Sequence, residues 1–176
     1  MKHIKKYIVL ICLLSIVNTM YSQENTEKYD RNFKLEIGLN AGLPFNDPYE
    51  FNLGADARLQ YNISETYSLT FTTGLNNLYV KDDGKNFNYI PIKVGYKTFL
   101  FSNAFYVMGE IGAALSVTDV YNKNSMIFAP SLGFVKKYVD VSVRYEFLKD
   151  FPIIKENTVD HGLGQIMLRI AYGFDL

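Results

Sequence analysis

The stretch Gly164-Gln165-Ile166-Met167-Leu168-Arg169-Ile170-Ala171-Tyr172-Gly173-Phe174 decides the fold. Ile166, Leu168, Ile170, Tyr172 and Phe174 share one face, and Gln165, Met167, Arg169, Ala171 and Gly173 share the other. Successive side chains of a strand point to opposite faces, so this period of two reads as one amphipathic β-strand. The alternation recurs toward the N-terminus. Val139, Val141, Val143, Tyr145 and Phe147 oppose Asp140, Ser142, Arg144 and Glu146. Phe105 to Ser116 sets Val107, Ile111 and Leu115 against Tyr106, Met108 and Glu110. Ile90, Ile92, Val94 and Tyr96 oppose Lys93, Gly95 and Lys97, and Tyr67, Leu69, Phe71, Thr73 and Leu75 share a further face. Phe51 to Tyr61 opposes Asp56 and Arg58, while Phe33 to Leu43 opposes Lys34 and Glu36. A segment at about Met126 to Val135 contains Pro130, which removes a ladder donor and predicts a bulge or an irregular strand end. Eight strands result, and no stretch beyond residue 30 keeps helical spacing for long.

Composition agrees. The 176 residues suffice for one domain with a core. Tyr and Phe number 14 and 13 against five Pro, an excess that favours strands. With 18 basic and 18 acidic groups the chain lacks the surplus a nucleic-acid binder carries. Residues 1–22 place Lys2, Lys5 and Lys6 before an apolar run from Tyr7 to Val17 and a short polar end at Ser22, the order of a secretory signal peptide. The run is too short to span a bilayer, which takes about 20 residues. Residues 23–31 read as a short periplasmic segment and 32–176 as the barrel. Cleavage removes three basic groups, leaving 15 against 18 acidic ones, and it removes Cys12, the one cysteine.

The connections alternate in length. Asn62 to Glu65, Leu100 to Asn103 and Lys136 to Tyr138 are short. Pro44 to Glu50, Lys81 to Asn86, Thr118 to Ser125 and Leu148 to Leu163 are longer and more polar. Short periplasmic turns and long outer loops are the mark of an outer-membrane meander. A lipocalin-like soluble barrel would turn its apolar face inward around a ligand, and a membrane barrel turns it outward. Strand length and aromatics near strand ends, such as Phe33, Tyr61, Phe105 and Tyr172, favour lipid. So does the closing run Tyr172 to Leu176, the kind of amphipathic end read by the barrel-assembly machinery.

The other face then lines the interior. It carries Lys34, Arg58, Lys93, Lys97, Arg144 and Arg169 against Glu36, Asp56, Glu110, Asp140 and Glu146. An eight-stranded barrel is only wide enough for side chains to fill, so these charges should interlock rather than line a pore. Interior glycines such as Gly38, Gly54, Gly95 and Gly112 leave room for the long side chains.

Tyr89-Ile90-Pro91-Ile92-Lys93-Val94-Gly95-Tyr96-Lys97, Phe105 to Gly112 and Val143-Arg144-Tyr145-Glu146-Phe147 resemble strands of the small outer-membrane β-barrel domain proteins of Gram-negative bacteria, sometimes labelled porin-family. The resemblance implies an all-β, eight-stranded antiparallel up-and-down transmembrane barrel in the outer membrane. It transfers no catalytic or ligand residue. The residues themselves offer little chemistry. His161, the one mature histidine, sits in the longest outer loop beside no Ser. Asp82-Asp83-Gly84 suits a turn better than a cation site. No cofactor, metal site or enzymatic activity is expected. The expected role is envelope structure or binding of a surface ligand at the outer loops, with Phe151, Ile153, Ile154 and Val159 as contact material. A narrow channel or secretion accessory, a soluble ligand-binding barrel and a lipid hydrolase using His161 are the alternatives. The expected partners are outer-membrane lipid and the assembly machinery, with no nucleic acid.

Overall fold

A strand buried in hydrocarbon must pair every ladder group, and a sheet that closes on itself removes both edges. The structure, a computed structural model, describes residues 33–81, 86–100, 104–118, 124–155 and 158–176. The signal peptide, the 23–31 segment and the Asp82-Asp83-Gly84 turn lie outside the described residues. The strands are β1 (Phe33–Pro44), β2 (Tyr49–Asn62), β3 (Tyr67–Val80), β4 (Phe87–Leu100), β5 (Phe105–Ser116), β6 (Ser125–Lys136), β7 (Val139–Lys155) and β8 (Thr158–Asp175). They pair antiparallel in chain order and close β1 onto β8, with Lys34 opposite Asp175 and Pro44 opposite Gln165.

The faces sort by polarity in the sense a membrane requires. Ile37, Leu39, Leu69, Phe71, Val94, Ile111, Val143 and Ile170 are exposed on the outer wall. The soluble-barrel alternative needed these inside and is overturned. Aromatic pairs ring the short-turn end: Phe33 with Tyr61 at 4.9 Å between centroids, Phe105 with Phe134 at 4.9 Å, and Tyr138 with Tyr172 at 5.6 Å. Phe51 against Tyr79 at 4.2 Å stands at the long-loop end. These are the interfacial girdles of a membrane barrel, with the short turns on the periplasmic side.

Pro130 leaves β6 continuous but interrupts one ladder. β6 pairs with β5 straight through Gly109 opposite Pro130. Against β7 the register runs to Phe128 opposite Phe147 and resumes at Ser131 opposite Arg144. The N–H that proline lacks is the one that would reach the Tyr145 carbonyl. Pro130→Val should close this gap, giving an amide at position 130 that exchanges as slowly as its strand neighbours.

The largest departure from the sequence expectation is at Leu148 to Leu163. It is not an open loop. β7 and β8 continue as a hairpin, with Pro152 opposite His161 and Lys155 opposite Thr158, after a register shift between Leu148 and Pro152. From Leu148 opposite Leu163 to Pro152 opposite His161 the chain advances four residues in β7 and two in β8, so β7 carries two extra residues there and its inward phase changes across them. Before the shift the inward residues of β7 are Arg144, Glu146 and Leu148; after it they are Phe151 and Ile153.

Candidate functional site

The lumen is where the chain concentrates its polar chemistry. Alternation points Glu36, Asp56, Arg58, Lys93, Lys97, Glu110, Asp140, Arg144, Glu146 and Arg169 inward, and all ten are buried. They make five cations and five carboxylates. Lys34 stands apart: at the short-turn rim its Nζ donates to the Lys137 carbonyl at 3.3 Å. A strand's last inward residue can turn its ammonium toward water, so alternation alone overassigned it.

Arg169 on β8 is the hub. Its Nε donates to both Asp56 oxygens at 2.9 and 3.1 Å and its Nη2 to Asp56 Oδ1 at 2.7 Å, while Nη1 reaches Glu36 Oε2 at 3.0 Å. Asp140 lies 3.7 Å from the same Nη1. Reaching β2 from β8 requires crossing β1, and the crossing is at Gly38, paired with Asp56 on one side and Ala171 on the other. A Cβ there would stand 2.9 Å from Arg169 Nε and 3.0 Å from Asp56 Oδ1. Gly38→Val should therefore break the Arg169–Asp56 pair and lower the urea midpoint of unfolding in lipid vesicles by about 1–3 kcal/mol equivalent.

The remaining charges extend this hub along the axis. Arg58 lies 3.6 Å from both Glu36 and Glu110. Lys93 bridges Glu110 at 3.1 Å and Glu146 at 3.4 Å, and Arg144 approaches the same two carboxylates at 3.7 and 3.2 Å. Lys97 donates to Asp140 at 3.0 Å and to Gln60 at 3.0 Å, with its ammonium 3.9 Å from the Tyr106 ring centre. Such pairs hold in low dielectric only when their other donors and acceptors are also satisfied. Neutral groups do this for three of the carboxylates, Asn40 donating to Asp56 at 2.9 Å, Thr72 to Glu110 at 2.7 Å and Tyr106 to Asp140 at 2.7 Å, while Glu36 Oε1 and both Arg58 Nη atoms are held by charge alone. Toward the outer end Tyr89 donates to Glu146 at 2.8 Å, and Asn52 and Gln165 close a ring around that hydroxyl. The charges could be read from alternation. These neutral partners were on the same inward phase but carry no signal of their own.

Above this polar column the lumen turns apolar. Leu78, Ala114, Ile127, Leu148, Phe151 and Leu163 are buried in one cluster with Tyr49 and Ile153. Phe151 meets Tyr89 edge-on at 5.5 Å. Tyr49 donates to the Pro152 carbonyl at 2.8 Å, and the Asp150 N–H to Ser125 Oγ at 2.9 Å, so the β7–β8 hairpin is tied across the mouth. Phe151 and Ile153 are thus spent on the protein's own cap rather than offered to a partner; the side chains of Ile154 and Val159 lie outside the described residues. At the opposite end a polar hollow of about 270 Å³ opens between Lys34, Asn62, Lys137 and Asp175 and reaches inward to Lys97. His161 is exposed, and its own N–H donates to the Asp160 carboxylate at 2.8 Å. Among the described residues no three His, Asp or Glu side chains converge as a metal site would need.

No family model matches the chain, and no curated protein does. Solved structures do. The crystal structure of Ail, the attachment invasion locus protein of Yersinia pestis, is 15% identical, covers 83% of this chain and all of its own, and superposes with a TM-score of 0.55. A de novo designed transmembrane β-barrel is 14% identical over 85% of this chain and all of its own, with a TM-score of 0.53. Ail in phospholipid nanodiscs gives 15% identity over 80% of this chain and 99% of its own, with a TM-score of 0.51. Identities this low carry the fold, and the outward apolar wall carries the setting. The chain is a small eight-stranded transmembrane β-barrel of the outer-membrane type.

Proposed function

We propose that this protein is a non-enzymatic, non-conducting barrel, which stabilises the envelope and presents the β7–β8 hairpin with the other outer connections for surface contact. One observation carries the reading: the lumen is closed twice, by the ionic column and by the apolar cap above it. An ion crossing would have to displace a buried charge network and then an apolar layer several residues deep. In a planar bilayer the protein should give no stepwise conductance; discrete single-channel openings would overturn this and favour the narrow-channel alternative. Against a hydrolase, Ser125 at the outer end is buried and bonded to the Asp150 N–H and the Met126 carbonyl. His161→Ala should leave the envelope phenotype of the wild type intact.

The binding half of the proposal concerns the hairpin tip. Replacing residues 155–158 by an Asn-Gly turn keeps the cap and should abolish surface binding in whole cells while leaving the folded band on an unheated gel. Unchanged binding would place the contact elsewhere. The polyanion partner of Ail, whose structure is known in complex with the heparin analogue sucrose octasulfate, does not suit this chain. Its outer connections hold Lys81, Lys85, Lys123, Lys149 and Lys155 against eight acidic residues, among them Asp47, Glu50, Asp150 and Asp160. Immobilised heparin should not retain it at physiological salt.

A further inference from the structure

The outer wall is unevenly filled. One transverse row of cross-strand neighbours runs from Tyr96 to Gly109, from Gly109 to Pro130 and from Tyr145 to Ile166. Pro130 and Tyr145 face each other where the β6–β7 ladder is interrupted. Along this row the surface drops from a large ring to glycine and proline and rises again to a large ring. A Cβ placed on Gly109 would meet nothing within 4 Å. The outcome is a trough of about 640 Å³, walled by Tyr96 and Tyr145 and floored by Gly109 and Pro130. Val107 and Leu132 line this trough and also a second hollow of about 390 Å³, which reaches Leu100 and Phe105 at the short-turn rim. The two form one path from that rim up the wall.

Two features say what covers it. The trough is continuous with the apolar wall, between exposed Val94, Ile111 and Leu132, so its occupant comes from hydrocarbon rather than from water. It also opens at the short-turn rim, where the headgroups of the periplasmic leaflet stand. Its size is that of small-molecule sites, about 300–1,000 Å³. We propose that it seats one acyl chain of a periplasmic-leaflet phospholipid, whose headgroup sits by Leu100 and Phe105 and whose chain runs over Val107 and Leu132 into the notch at Gly109 and Pro130. A chain there touches protein on several sides, where a flat wall offers one. The added dispersion contacts give it a longer residence than its neighbours. This inference rests on the outer-membrane setting and is independent of whether the barrel conducts or binds a surface ligand.

The test uses the mature protein refolded in vesicles of phosphatidylethanolamine carrying a photoactivatable diazirine in one acyl chain, with adducts mapped by mass spectrometry. Labelling at Val107 and Leu132 should exceed that at Leu39 on β1, across the barrel, several-fold, although Leu39 is 71% exposed against 38% and 66% for the first two. Gly109→Leu fills the notch, and the open space around Gly109 lets the barrel fold, as its unheated gel band would confirm. In that variant the excess should fall to the level of the rest of the wall. Even labelling in the wild type overturns the proposal, and so does an excess that survives Gly109→Leu. A chemically cross-linked dimer lost in Gly109→Leu, with no lipid excess, would assign the trough to a second copy and overturn it as well.

Discussion

Arg169→Met is expected to destabilise the barrel by about 3–5 kcal/mol, the cost of removing one partner from a buried ion pair. The substitution keeps most of the side-chain volume but strands Asp56, which loses three hydrogen bonds, and Glu36, which loses its 3.0 Å contact. Neither carboxylate can turn to water, because Arg169 and Glu36 are fully buried and Asp56 nearly so. The readout is the urea midpoint of refolded protein in vesicles, followed by the loss of the fast-migrating band on unheated gels. The double change Asp56→Asn, Arg169→Met keeps the column at four cations and four carboxylates, leaves Glu36 beside Arg58 at 3.6 Å, and should recover most of the loss. A cost of Arg169→Met within about 0.5 kcal/mol would mean that water solvates the interior charges.

Phe151→Ala is the second large effect, at about 3–5 kcal/mol for a fully buried aromatic. Its 0% exposure is the ground for this figure: in an open loop the same change would fall within about 0.5 kcal/mol. Because the ring sits in the cap rather than in the ionic column, part of the loss should be local. Amides of the β7–β8 hairpin beyond Leu148 should exchange faster, while those of β1 and β2 keep their protection. Equal acceleration throughout would mean that cap and column unfold as one unit. No change at all would return Phe151 to the role of exposed contact residue.

The eight strands and their two faces were legible because a barrel wall imposes the same period of two on every strand, with lipid on one side and packed charge on the other. Pro130 announced its own irregularity through its missing N–H. The cap was illegible for an equally physical reason. Lys149, Asp150 and Pro152 break the alternation, and the shift between Leu148 and Pro152 changes which parity points inward. Apolar residues on the wrong phase, between charges and a proline, read as loop. The trough escaped notice because it depends on which residues are neighbours across strands. Gly109 and Pro130 lie 21 positions apart in the chain, and only the register sets them side by side.

The seam between β1 and β8 has a consequence for how the molecule assembles. Seven ladders join strands adjacent in the chain, but this one brings Lys34 to Asp175 and is the contact of highest sequence separation. Loop-closure entropy makes local hairpins early and the seam late. Arg169 lies on the last strand, and its partners Glu36 and Asp56 lie on the first two. Pairing of Arg169 with Glu36 and Asp56 therefore goes with closure of the ring. An unclosed sheet carries open charges along its concave side as well as two unpaired edges, and both oppose its sinking into hydrocarbon. The Arg169 cluster thus sets the lowest cost of burial in hydrocarbon on a sheet whose two ends have met.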